Sequence, residues 1–156
     1  MEKMLFSGVQ SNSDVALIAI KGLKHQPGIA AKIFGAVAKE GINVELILQS
    51  IGRGPEKDIS FVVAQEDTDK AVETLKNAFP EGDYEEIFCD TKVGIVSIVG
   101  AGMMSNSGAA SRMFEALYNR GINIKMIYTS EIKITVLIKE SRVERAVEAL
   151  KEQFQE

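Results

Sequence analysis

A single cysteine, Cys89, and a single histidine, His25, are all that the 156 residues offer of the two side chains most used for disulfides, metal sites and nucleophilic relays. One cysteine admits no internal disulfide and suits a reducing cytoplasm, the expected location. One histidine with no advertised partners makes neither a metal site nor a triad, so no metal, no cofactor and no catalytic residue is expected. Positive charge is also in short supply: 18 Lys and Arg against 22 Asp and Glu give a formal net charge of −4. A phosphate-backbone partner needs a basic surface, so no nucleic acid is expected. No apolar run approaches the roughly 18 residues of a transmembrane helix, and no charged-apolar-small signal pattern opens the sequence, so no membrane is expected either. A small molecule or another protein is left as the partner.

What is present is a repeat. Pro27-Gly28-Ile29-Ala30 through Gly41-Ile42-Asn43 to Ile47 and Ser50 recurs 80 residues later as Ser107-Gly108-Ala109-Ala110 through Gly121-Ile122-Asn123 to Ile127 and Ser130. Downstream the offset is 75, with Ala71-Val72-Glu73 recurring as Ala146-Val147-Glu148 and Phe79 as Phe154, so the second copy is five residues shorter in its middle. Two small units follow, 15–90 and 91–156, each too small to bury a large core alone.

Periodicity assigns the elements. Residues 15–22 form an apolar run bounded by polar and Pro-Gly segments, a buried strand. Ile29, Ile33 and Val37 at four-residue spacing predict a helix that Gly41 ends in a left-handed cap. Strands 43–50 and 58–65 flank a glycine-containing connection at 52–57. Asp67 or Thr68 is expected to cap a second helix with Ala71, Val72, Leu75 and Phe79 inward, and strand 84–90 completes a βαββαβ order. The second copy gives strand 93–100, helix 107–120, strands 123–129 and 132–138, and helix 141–154, without a fourth strand. The strand-like residues 4–9 ahead of the first copy are expected to fill that vacancy, because an open sheet edge would otherwise remain. The fold class is therefore α+β, two ferredoxin-like units with antiparallel sheets.

Three segments invite a chemical reading. Lys24-His25-Gln26-Pro27-Gly28 joins a strand to a helix, so N–H groups at the helix start point outward and favour an anion, while glycine permits close approach and proline presets the turn. On loop chemistry alone, a plain turn and a binding turn stand about even. Gly100-Ala101-Gly102-Met103 imitates a dinucleotide fingerprint, but its third glycine is absent and Lys125 stands where an acidic residue belongs. Asn43 and Asn123 each open a strand, where asparagine tolerates left-handed geometry. Phe34, Met113, Phe114, Phe79 and Phe154 are core by spacing, and Lys70, Glu73 and Lys76 form a solvated helix face.

Taken together, Ser7-Gly8-Val9, Pro27-Gly28-Ile29-Ala30-Ala31-Lys32, Gly41-Ile42-Asn43-Val44, Val99-Gly100-Ala101-Gly102-Met103 and Thr129-Ser130-Glu131-Ile132 resemble the regulatory region of aspartokinase, with its two ACT domains. The resemblance covers nearly the whole chain and implies a free-standing regulatory subunit or fragment that does no chemistry itself. It implies feedback inhibition of an aspartokinase catalytic partner by threonine or lysine in aspartate-family biosynthesis, and a homodimer. It places the ligand at His25, Gln26, Pro27, Gly28, Ile29 and Ala30, with Gln49 alongside and Asn123 and Ile124 closing over the loop from the other copy. Many members carry an acid at position 25 to meet the ligand's amino group. A second ligand site is implied at Ser105, Asn106, Ser107, Gly108, Ala109 and Ala110, with Asn43 and Val44. An acetolactate synthase regulatory subunit is the alternative, but it would carry one ACT unit rather than a repeat. An RNA-binding pair would need basic, aromatic strands that neither Ile59–Val63 nor Ile132–Val136 supplies.

Overall fold

A computed structural model describes residues 5–24, 26–50, 56–101 and 107–154. In chain order the elements are β1 (Leu5–Lys24), α1 (Ile29–Lys39), β2 (Glu45–Gln49), β3 (Glu56–Ala64), α2 (Thr68–Ala78), β4 (Glu86–Ala101), α3 (Ser107–Asn119), β5 (Met126–Thr129), β6 (Lys133–Lys139) and α4 (Val143–Phe154). The sequence pattern predicts two strands where the structure has one, twice over. Segments 4–9 and 15–22 both fall on β1, of which residue 4 lies outside the described residues, and segments 84–90 and 93–100 both fall on β4, which starts two residues later than expected at Glu86. The intervening residues 10–14 and 91–92 are polar but contain neither proline nor glycine, so nothing breaks the extended backbone there.

The chain divides into two compact units, residues 14–91 and residues 1–13 with 92–156. In the first, the strand order is β2-β3-β1-β4. β1 runs antiparallel to β3 with Ile18 opposite Phe61, and β2 runs antiparallel to β3 with Leu48 opposite Ser60. Alternate β1 residues Ile18 and Ile20 meet Ile33 and Val37 of α1 and Leu75 of α2 in a common core. The four-residue spacing of Ile33 and Val37 places both on the buried stripe of α1. Gly41, at φ 74, ends α1, and the Gly41 and Ile42 N–H groups donate to the Ala38 and Val37 carbonyls. The expected side-chain cap of α2 is absent: Asp67 makes no capping bond, and the Thr68 hydroxyl instead donates to the Gln65 carbonyl at 2.7 Å in a preceding 3-10 turn.

In the second unit the order is β1-β4-β6-β5, with β1 represented by its residues up to Ser13. The N-terminal segment thus occupies the fourth-strand place, and Val9 packs against the core of Val96, Ile98, Met113, Leu117, Val136 and Leu150. β4 pairs antiparallel with β6, Val96 opposite Val136. Opposite each other on the same two strands, Ser97 and Thr135 are buried and hydrogen-bonded at 2.7 Å, so neither hydroxyl is left unpaired in the core. Gly121, at φ 67, ends α3 as Gly41 ends α1.

One irregularity positions the end of β1. The β1–β3 register shifts between Ile20 and Leu23, and Gly22 in that bulge has φ 68. Its N–H donates to Asp58 Oδ1 at 2.9 Å, and the Glu85 N–H donates to the Lys21 carbonyl at 2.8 Å. A Cβ on Gly22 would lie 2.5 Å from Glu85 Cγ. Gly22→Ala is therefore expected to lower the unfolding free energy by about 1–3 kcal/mol, from left-handed strain and the displacement of Glu85. Urea denaturation of the variant beside the parent protein measures this.

Candidate functional site

Beyond the Gly22 bulge, β1 ends on buried Leu23 and exposed Lys24, and the chain turns through Gln26, Pro27 and Gly28 into α1. Gly28 is the N-cap residue, at φ 86 and ψ 2, a conformation that costs glycine little. This helix start carries no side-chain cap and no acidic residue in its first turn. The Lys32 N–H reaches the Gly28 carbonyl at 2.9 Å, and the Ile29 N–H reaches the Gln26 carbonyl at 3.4 Å. The Ala30 and Ala31 N–H groups come before the first full helical bond, so the positive end of α1 is left for an anion or for solvent.

A cavity of about 90 Å³ opens beside this turn. One water needs about 10–15 Å³ on this scale, so the space admits a small polar group of several atoms. Leu23 and Phe79 give it apolar walls, Gln26, Pro27, Gly28 and Ile29 form its loop side, and Lys24, Lys32 and Asp83 bring charge of both signs. The Lys32 ammonium stands 4.6 Å over the Phe79 ring.

Four of the residues proposed from the sequence, Gln26, Pro27, Gly28 and Ile29, are therefore together. Ala30 is exposed on the first turn of α1, Gln49 is exposed on β2, and neither lines the cavity. His25 lies outside the described residues. Lys32, Phe79 and Asp83 also line the cavity, and the loop motif does not point to them. Phe79 reads as pure core from its spacing, and it is buried, but its ring also faces the cavity. Asp83 was readable in principle: a βαββαβ unit sets its first and fourth strands side by side, so the end of β1 and the approach to β4 share one end of the sheet.

Asn43 and Asn123 do not open strands as expected. β2 begins at Glu45 and β5 at Met126, so both asparagines are exposed in the preceding loops. Val44 and Ile124 are half-buried, each against the core of its own unit. In the second copy Ser105 and Asn106 lie outside the described residues, Ser107 begins α3 and Gly108 is exposed. Ala109 is 1% exposed and Ala110 half-buried against the same core, so these two side chains serve packing. The copies also differ in how they use their cation. Arg112, the repeat equivalent of Lys32, stands 4.6 Å over the Phe154 ring, equivalent to Phe79, and also donates to the Gln153 carbonyl at 2.9 Å. Among the described residues no group of three His, Cys, Asp or Glu side chains is placed to hold a metal ion.

The ACT-domain family profile matches residues 18–79 and 96–154, one match in each unit. The chain belongs to the ACT-domain family. Within it, aspartokinases are its relatives: it is 43% identical over 155 residues to the aspartate kinase of Pseudomonas fluorescens (strain SBW25), covering 99% of this chain and 38% of that protein. The chain thus spans well under half the length of such relatives. It is similar over nearly its whole length to the solved regulatory subunit of aspartate kinase from Thermus thermophilus, with a TM-score of 0.92, 35% identity, and 97% and 99% of the two chains covered. A chain in a crystal structure of aspartokinase alpha and beta subunits matches at TM-score 0.89 and 37% identity, with 97% and 99% covered. These ACT units are accordingly of the aspartokinase regulatory type, and the chain corresponds to the regulatory part of such kinases.

The left-handed Gly28 makes a clean test of the loop of the first ACT unit. A Cβ there meets nothing within 4 Å, so the cost of a side chain is conformational rather than steric. Gly28→Val should lower the unfolding free energy by about 1–2 kcal/mol, whereas Gly28→Asn, which tolerates this region, should lose less. Paired urea denaturation curves read the difference.

Proposed function

We propose that this chain senses an end-product amino acid of the aspartate family, threonine first and lysine second, and transmits its binding to an aspartokinase catalytic domain or subunit as feedback inhibition. The observation that carries the proposal is the uncapped, acid-free start of α1 opening on a cavity of mixed charge, in a chain of aspartokinase regulatory type. A carboxylate at such a helix start gains about 0.3–1 kcal/mol from the helix dipole, and up to ~2 kcal/mol when partly buried. In this reading His25, Gln26, Pro27, Gly28, Ile29 and Ala30 surround the polar head, with Gln49 alongside and Asn123 and Ile124 contributed by another chain. The loop of the second copy, Ser105 to Ala110 with Asn43 and Val44, is the weaker site, in keeping with the packing role of Ala109 and Ala110. An effector with different affinities for two conformations of the kinase shifts their populations, which is all that inhibition at a distance requires.

Calorimetric titration with threonine, lysine and methionine tests the effector. Threonine is expected to give a saturable heat, lysine a weaker one and methionine none, and Gly28→Val is expected to abolish the threonine signal. Silence with both threonine and lysine defeats the proposal.

The same reading includes a homodimer in the cytoplasm. β2 and β5 each lie at the end of the strand order of their own unit, and both carry exposed apolar side chains, Ile47 at 56% and Ile127 at 53% exposure. Edge backbone with apolar side chains invites pairing with a second copy. Free, exposed Cys89 is compatible with a reducing compartment, and among the described residues no helix is long and apolar enough to cross a membrane. Sedimentation at tens of micromolar should report about twice the 17.0 kDa chain mass, and a clean monomer would contradict the assignment.

A further inference from the structure

We propose that Asp83 and Lys32 read the two charges of the effector's amino-acid head: the Asp83 carboxylate takes the ammonium, while Lys32 and the start of α1 take the carboxylate. The proposal rests on the effector reading given above and names the side chains that give the site its ligand class. Both residues line the cavity beside the Gln26–Ile29 turn. Among the described residues neither charged group is engaged by an opposite charge or a side-chain hydrogen bond, although both signs stand around the same small space.

Each group is held from behind. The Phe79 ring lies 4.6 Å beneath the Lys32 ammonium, and the backbone N–H of Lys32 is bonded to Gly28. The Asp83 N–H donates to the Pro80 carbonyl at 3.2 Å, and two residues on, the Glu85 N–H is bonded to Lys21 of β1. Placement on a turn fixed at both ends lowers the ordering cost of binding.

The second copy provides the contrast. Its Arg112 keeps the same 4.6 Å position over an equivalent phenylalanine, but its guanidinium also bonds the Gln153 carbonyl. There the cation is absorbed by the protein, whereas in the first copy Lys32 lines the same cavity as Asp83 and, among the described residues, donates no such side-chain hydrogen bond. A cavity that offers a cation and one carboxylate beside the start of a helix matches a zwitterion. It disfavours a simple acid, whose charge meets Asp83, and a simple amine, whose charge meets Lys32.

The test is calorimetric titration of the full chain with threonine and lysine, and with the 2-hydroxy acid analogue of whichever binds, in which a hydroxyl replaces the ammonium. The parent protein should bind the amino acid at least tenfold more tightly than the hydroxy acid. Asp83→Asn should weaken the amino acid at least tenfold, about 1.4 kcal/mol, and erase the preference over the hydroxy acid. Lys32→Met should weaken both ligands alike. Circular dichroism should show all three proteins equally folded. Asp83→Asn binding the amino acid as the parent does would remove the Asp83 assignment and leave the effector reading in place. A parent protein that binds neither amino acid would overturn both.

Discussion

The hydrogen bond from the Glu85 N–H to the Lys21 carbonyl, 2.8 Å long, joins the approach to β4 to the end of β1, and the candidate site depends on that junction. Adjacent first and fourth strands bring two loops to one end of the sheet, but adjacency alone leaves their spacing loose. The bulge at Gly22 fixes it. A residue without Cβ lets the Glu85 side chain lie across the strand, and the Gly22 N–H finds its acceptor in Asp58 rather than in the ladder. Just beyond the bulge, Leu23 and Lys24 line the same cavity as Asp83. The site is thus a product of strand order and one glycine as much as of the Pro-Gly loop.

Much of this was legible in the sequence because backbone requirements leave marks. Gly41 and Gly121 end their helices in the left-handed region, as their place after an apolar period implies. Ile33, Val37, Leu75 and their repeat partners Met113, Leu117 and Leu150 are buried as their spacing demands. The strand-like residues ahead of the first copy take the place the missing fourth strand left open. Less legible were element ends. Polar residues at 10–14 and 91–92 read as boundaries, yet an extended chain needs no apolar side chain to continue, only the absence of a breaker. The asparagine positions were misplaced by a few residues for the same reason: asparagine marks a turn, and the turn outlasts it. Asp83 leaves no mark in the loop motif because it joins that loop only in space.

The repeat also shows how one unit is put to two uses. Lys32 and Arg112 occupy equivalent places over equivalent rings, so the geometry of the cation survives while its partner changes. Arginine presents several donors in a planar fork and can bond a helix-terminal carbonyl while stacked. Lysine carries a compact charge that it can offer elsewhere. A single change of cation therefore marks which copy is built for stability and which retains an exposed charge. Ala109, buried where Ile29 is only half-covered by its own unit, points the same way.

The pairing of residues 5–13 with the second half of β4 has a consequence for how the chain acquires its shape. Those residues leave the ribosome before residues 92–101, which they lie beside, and long before β6 on the other side of β4. Synthesis proceeds at about 5–20 residues per second, so the early segment waits several seconds for its neighbours. Contacts of such long sequence separation form late and fold slowly. The unit made of residues 14–91 has all its strands as soon as it is translated, and the other cannot close until α4 is complete. Assembly is therefore ordered in time, with the proposed effector loop formed first and the packing unit sealed last.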